Sequence, residues 1–411
     1  MADYSKPPSS VKIPIKPFKA HQKIKDFQTL LSLSPIAPPN YENSDKSVDR
    51  RYGVSHAWIT HAKSHWQHNF NWRAHEDHIN SFPNFTAQVQ DDESHDFEIH
   101  FVALFSQKAD AIPLVFYHGW PGSFLEFLPI CKLLTQKYTP QTLPYHIIVP
   151  SIPGYAYSSS PPLNFDFSLE NASEALNNLM IGLGFDKLGG YIAQGGDLGS
   201  MISRYQAANC EACRGMHLNF SPISRPANAE ELAMGEVERE AISRGLAFRE
   251  MGSAYAHEHG TRTATIGMCL SASPLALLAW IGEKFLEWSD EDPPLDEILE
   301  SITLYWMTDT FARCIYPYRG LSGDEERPRI AKVNGRGRAR PYVEKPSGYS
   351  FFPKELVPMP VSWVATSCNL ISSAIHSSGG HFAAMEKPKE LLGDVEEFVR
   401  KACKVSAGGK L

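Results

Sequence analysis

Gly195-Gly196-Asp197-Leu198-Gly199 stands between an apolar stretch ending in Gly189-Gly190-Tyr191-Ile192-Ala193-Gln194 and a helix-like Ser200-Met201-Ile202-Ser203-Arg204-Tyr205. Small residues two before and two after the centre suit a strand-to-helix turn, because that turn is sharp and strained. A turn of this kind, a nucleophile elbow, presents its central residue at the end of a sheet. Here the apex is a carboxylate, ionised at neutral pH without a base. A carboxylate is suited to displacement at a saturated carbon, which leaves an ester on the protein. Cleaving that ester by attack on the aspartate's own carbonyl carbon needs a base for water, a group that orients the base, and an oxyanion hole.

Outward from the elbow, short apolar runs bounded by turn residues predict strands at 112–117, 145–149 and 188–194. Helical patterns at 124–134 and 169–183, the latter with Ser168 as N-cap, separate them. Upstream, alternating runs at 86–90 and 97–105 flank the acidic turn Asp91-Asp92-Glu93. Ordered strand-turn-helix units of this kind predict the α/β class, an α/β-hydrolase fold with a mostly parallel sheet. After Pro222 the text turns helical, including 273–288 and 295–311, which predicts a lid inserted into the α/β chain. The sheet is expected to resume at 361–366, and 391–402 reads as a closing helix. The first part of the chain, rich in Pro, Ser, His and Trp, has helical stretches at 27–33 and 50–67 but no pattern of an independent domain. The chain thus divides into an N-terminal meander (1–84), the first part of the core (85–227), a helical lid (228–344) and the second part of the core (345–411).

Composition narrows the function classes. The chain has 411 residues, 43% of them hydrophobic, with a formal charge of −7, which argues against nucleic acid as the main partner. The odd count of seven cysteines reads as free thiols in a reducing compartment. The N-terminus has no signal pattern, and the longest apolar run, near 274–282, is too short to span a bilayer, so a cytoplasmic protein without a membrane anchor is expected. His56, His61, His65, His68, His75 and His78 lack the glutamate of a zinc-protease helix and any nearby cysteine, so they read as surface or packing residues. Arg327, Arg329, Lys332, Arg336, Arg338 and Arg340, interleaved with glycine after Asp324-Glu325-Glu326, read as a solvated loop.

The parts that Asp197 needs have candidates. His118-Gly119-Trp120-Pro121-Gly122 follows the strand at 112–117, where a loop can aim N–H groups at the sheet's C-terminal edge. The backbone N–H groups of Trp120 and Leu198 are the candidate oxyanion hole. His381, in Gly379-Gly380-His381-Phe382-Ala383-Ala384, fits a late histidine on a glycine-rich loop, in preference to His376. The acid falls between Asp197 and His381: Glu355 is favoured and Asp309 is the alternative.

Together these segments resemble the microsomal-type epoxide hydrolases, in particular their soluble fungal members, over nearly the full length. The resemblance runs from Asn71-Trp72-Arg73 and Phe82-Pro83-Asn84-Phe85 through His118-Gly119-Trp120-Pro121 and Gly195-Gly196-Asp197-Leu198-Gly199-Ser200. It continues in Ser347-Gly348-Tyr349-Ser350-Phe351-Phe352-Pro353-Lys354-Glu355 and in the His381 segment. It implies two lid tyrosines, matched by Tyr255 in Tyr255-Ala256-His257-Glu258-His259 and by Tyr318 in Ile315-Tyr316-Pro317-Tyr318-Arg319, with Tyr316 a neighbouring alternative. An epoxide's departing alkoxide is about as strong a base as hydroxide, so a phenol that donates to it meets a chemical need. The resemblance further implies an epoxide substrate, a vicinal diol product, no metal or organic cofactor, and a homodimer. A haloalkane or haloacid dehalogenase would use the same aspartate and histidine but halide-binding donors in place of the tyrosines. A non-catalytic binding protein is the reading from another class.

Overall fold

The apolar runs of the sequence become the interior strands of one twisted sheet. In the computed structural model, which describes residues 3–22, 24–187, 189–322 and 342–408, the strands are β1 (Ile15–Phe18), β2 (Asn84–Gln90), β3 (Asp96–Leu104), β4 (Ile112–Tyr117), β5 (Tyr145–Pro150), β6 (Tyr191–Gly195), β7 (Cys213–Leu218), β8 (Val343–Phe351) and β9 (Cys368–Ile375). Their spatial order is β1-β2-β3-β5-β4-β6-β7-β8-β9. β1, β2, β3 and β5 pair antiparallel in succession, and β5, β4, β6, β7, β8 and β9 pair parallel.

β5 and β6 are buried at every position, as parallel strands covered on both faces must be. Leu114, Phe116, Ile147, Val149 and Ile192 face one apolar core with the helices Leu128–Lys137 and Pro388–Gly408. Val115, Tyr117, Ile148 and Ala193 face the other, with Leu169–Gly182 and Asp197–Asn209. Ser168 caps the helix Leu169–Gly182 in a reciprocal capping box with Asn171. Because β4 lies between β5 and β6, the chain leaves β4 and β6 on opposite faces, and a crevice opens at their C-terminal ends.

Helices fill 236–322 around a long apolar helix, Pro274–Trp288. The N-terminal segment is bound to this block as well as to the sheet. Trp66, 3% exposed, donates its indole N–H to Thr303 Oγ1 at 2.9 Å. Arg50 grips Asp292, His65 Nε2 lies 2.7 Å from Asp296, and His75 Nδ1 lies 3.2 Å from Glu300. Among the described residues no group of three or more His, Cys, Asp or Glu side chains is arranged to hold a metal ion, and no single helix is long and apolar enough to cross a membrane.

Several expectations need correction. The segment Val361–Val364 is a helix, started by Pro360, and the sheet resumes instead at β8 and ends with β9. A short apolar run cannot by itself separate strand from helix. β8 escapes notice because its Ser347, Gly348 and Ser350 are small: a Cβ on Gly348 would stand 2.6 Å from the His217 ring. The lid boundary expected at 344 therefore falls inside β8. The elbow strand begins at Tyr191, after Gly189 and Gly190 turn with φ of +81° and +89°. The helix expected over 50–67 runs His56–His68, capped by Ser55. The helix expected over 295–311 stops at Met307, because Asp309 takes a left-handed backbone (φ 50°) before Thr310–Cys314. β1, β7 and the helix Trp72–Asn80 had no sequence expectation. The arginine-rich loop and Leu188 lie outside the described residues.

Trp66→Ala is expected to lower stability by about 3–5 kcal/mol, and Trp66→Phe, which loses chiefly the hydrogen bond, by about 1 kcal/mol. Urea unfolding midpoints of the two variants check the order.

Candidate active site

Asp197 is the first residue of its helix and adopts φ 40°, a left-handed backbone that side chains other than glycine rarely accept. The surrounding glycines are sterically required. A Cβ on Gly199 would lie 2.0 Å from the Tyr117 carbonyl oxygen, and one on Gly119 would lie 2.1 Å from Asp197 Oδ1. The backbone of the loop after β4 thus comes directly over the carboxylate. Trp120 donates its backbone N–H to Asp197 Oδ1 at 2.7 Å, and the Leu198 N–H also supports the carboxylate. His118 keeps that loop in place as a neutral strut. Its Nε2 accepts the Ile152 N–H at 3.2 Å, its Nδ1 lies 3.1 Å from the Gly119 carbonyl, and burial pushes its pKa down to about 4.

His381 approaches Asp197 from the other side, with Nε2 3.6 Å from Oδ2. Its Nδ1 is 2.6 Å from Glu355 Oε1, which also accepts the Leu356 N–H at 2.6 Å. Glu355 follows β8 and His381 follows β9, so both come from strand ends on the Asp197 edge. The histidine's backbone N–H donates to the Trp288 carbonyl at 2.9 Å, and its ring stands edge-on to Trp288 and Phe220. The alternatives lie elsewhere: His376 pairs with Asp394 at 2.7 Å and stacks on Phe352, and Asp309 stands just before a short helix in the insertion, without a side-chain cap bond to it.

Tyr255 and Tyr318 arrive from the helices Ala254–Thr261 and Pro317–Ser322, which pack on each other. Their ring centres are 5.8 Å apart and their hydroxyls interact. Tyr255 stacks on the Trp120 indole at 5.2 Å, and Tyr318 meets it edge-on at 5.8 Å. The residue whose N–H touches Asp197 is therefore also the floor of the tyrosine pair. Tyr316 is turned away, its hydroxyl donating to the Pro153 carbonyl at 3.2 Å.

The electrostatics are those of one histidine among carboxylates. Burial pulls the His381 pKa down, but Glu355, Asp197 and Glu126 outweigh it and hold it at about 9. Burial raises the Asp197 pKa, against the pull of His381 and the Trp120 and Leu198 N–H groups. Glu126 had no place in the sequence reading. Burial pushes it up to about 8 against His381, and the charge of Asp197 adds to the rise. With Asp197, His381, Gly119, Gly122 and Phe382 it lines a chamber of about 10 Å³, room for about one water. Its one sequence signal is an acid within the apolar Phe124-Leu125-Glu126-Phe127-Leu128.

Fold and site together define an α/β-hydrolase with a carboxylate at its elbow and a pair of tyrosines in the inserted helices. A sequence profile for the epoxide hydrolase N terminus matches residues 14–127, and one for the alpha/beta hydrolase fold matches residues 112–237. A Dothistroma septosporum protein, provisionally named an epoxide hydrolase, is 52% identical over 404 residues, which span 97% of this chain and 93% of its own. Epoxide hydrolase 1 of Oryctolagus cuniculus is 30% identical over 94% of this chain and 88% of its own. The structure of Aspergillus niger epoxide hydrolase matches with a TM-score of 0.87 at 43% identity, over 98% of this chain and 100% of that one. The chain belongs to the epoxide hydrolase family.

Gly119→Ala forces the loop and the carboxylate apart. A displacement near 1 Å costs on the order of 100-fold in rate, and we expect that loss in turnover with an unchanged circular dichroism spectrum.

Proposed function

We propose that this protein hydrolyses epoxides to vicinal diols through an ester on Asp197. The observation that carries the reading is the placement of one carboxylate oxygen against the Trp120 N–H and the other toward His381 Nε2, with Tyr255 and Tyr318 packed on the same Trp120. Family membership supports the epoxide as substrate, and the tyrosine pair favours it over a halide leaving group.

In the first step Asp197 attacks a ring carbon. A C–O bond to the carboxylate forms, the ring C–O bond breaks, and the departing oxygen takes a proton from the tyrosine pair. In the second step His381, oriented by Glu355, accepts a proton from water, which adds to the Asp197 carbonyl carbon. The N–H groups of Trp120 and Leu198 hold the oxyanion. The chamber walled by Glu126, His381 and Asp197 offers the water a place beside both its base and its target. Collapse expels the diol, whose leaving oxygen takes the proton back from His381, and regenerating the carboxylate frees one further proton, which restores the phenol. Side chains and backbone supply every part of this scheme.

The charges also order the two steps. While Asp197 is ionised, it helps to hold His381 protonated. Esterification removes that negative charge from beside Nε2, so the imidazole gives up its resting proton to solvent more readily just when a base is required, and regains one after the carboxylate is restored.

Wild type incubated with small aryl and alkyl epoxides is expected to yield diol, and Asp197→Ala none. Intact-mass analysis of His381→Gln with excess epoxide is expected to show one substrate mass added, and an unmodified protein there would overturn the two-step scheme. Ester decay in wild type should fall as pH drops through an ionisation below about 9, because a protonated His381 cannot take a proton from water. Rapid-quench measurement of the ester from acid to mildly alkaline pH checks the direction.

A further inference from the structure

Tyr255 has a charged neighbour that the two-step scheme leaves unused. Lys284, on the helix Pro274–Trp288, is only 5% exposed. Its Nζ lies 4.9 Å from the centre of the Tyr255 ring, 5.6 Å from that of Trp280 and 5.9 Å from that of Trp288. The cage walls are fixed from behind. The Trp280 indole N–H donates to Nε2 of the fully buried His259 at 3.0 Å, and Trp288 is packed against the His381 ring. That bond makes Nε2 the acceptor, and burial followed by the charge of Lys284 pushes the His259 pKa down to about 3, so this wall stays neutral. The neighbouring carboxylate in contact with Lys284 is that of Glu283, whose side chain is 28% exposed against 6% for the lysine. Solvent therefore screens the glutamate while the ammonium acts inward on the ring.

We propose that Lys284 is a positioning residue for ring opening, acting through Tyr255. Its ammonium, held in an aromatic cage, strengthens that phenol as a donor to the departing epoxide oxygen. The inference rests on the epoxide hydrolase reading above. A cation near an aromatic face is attracted to the ring quadrupole, and the attraction grows as the ring gains negative charge. In ring opening the bond to oxygen breaks, the electron pair moves onto that oxygen, and a proton leaves the tyrosine pair for it. Negative charge thus appears on the phenol in the transition state and is weaker before it, which is the differential stabilisation that lowers a barrier. Burial and the charge of Asp197 both make Tyr255 harder to ionise, and Lys284 is the cation placed on its ring. No proton moves to or from Lys284 in this role.

The test uses the full-length protein in single-turnover rapid-quench experiments that resolve ester formation from ester decay. The substrates are 1,2-epoxybutane and epichlorohydrin, whose alkoxide is the weaker base. Lys284→Met is expected to slow ester formation from epoxybutane by about tenfold, to slow it less with epichlorohydrin, and to leave ester decay within about twofold of wild type. Lys284→Arg should recover most of the loss. Equal slowing of both steps with both epoxides would reduce the lysine to a packing role, and unchanged ester formation would overturn the inference outright. If Lys284→Met does not fold, Lys284→Gln carries the same comparison. Wild type that forms no ester would overturn the hydrolase reading itself, a result distinct from wild type and variant behaving alike.

Discussion

Asp197 must hold a left-handed backbone, and most of the surrounding architecture follows from that. A residue other than glycine in this region costs on the order of 1–3 kcal/mol, and the neighbouring structure has to enforce it. β6 ends at Gly195 and the helix begins at Asp197, so the chain reverses within the space of a single residue. Gly199 lets the new helix press against the Tyr117 carbonyl, and Gly119 lets the loop after β4 press against the carboxylate. The first turn of the helix carries partial positive charge, and with the Trp120 N–H it favours the ionised form that burial opposes. Strain, close approach and charge stabilisation all meet at one side chain.

The second theme is charge shared across strand ends. β6, β8 and β9 each deliver one member of the Asp197, Glu355 and His381 set, and the loop and short helix after β4 deliver Trp120 and Glu126. One imidazole among three carboxylates has its proton affinity raised by them, so that affinity varies with the charge on Asp197. A buried cluster has this property because its members are only weakly screened from one another. A surface histidine beside an aspartate would feel the same change faintly.

The sequence exposed these features unevenly, for physical reasons. The elbow, the His118 to Gly122 loop and the glycine-flanked His381 were legible because backbone crowding leaves a glycine signature wherever it occurs. The interior strands β4 and β5 were legible as apolar runs. β8 was not, because close packing against His217 and Phe398 selects Gly and Ser, which read as loop. Glu126 was hidden because a lone acid in an apolar segment has no spacing rule behind it. Tyr255 and Tyr318 came from family resemblance alone. Nothing in either segment distinguishes Tyr318 from Tyr316 until the Pro153 carbonyl is seen to occupy the latter's hydroxyl.

The N-terminal segment carried the weakest pattern, and its contacts explain the weakness. Helices such as His56–His68 bury only a few residues each, because they lie on a surface already made by the inserted helices and not around a core of their own. Trp66 and His65 hold the helix Leu295–Met307, and Arg50 holds Asp292 in the loop that joins it to the helix carrying Lys284 and Trp288. Trp288 in turn supports His381 through its backbone carbonyl and its ring. The insertion is therefore clamped at its outer face by the N-terminal segment and at its inner face by the histidine loop. Tyr255 and Tyr318, from the same insertion, pack on the Trp120 whose backbone N–H touches Asp197. The segment with the least periodic sequence thus packs on the helix that brings Trp288 to His381.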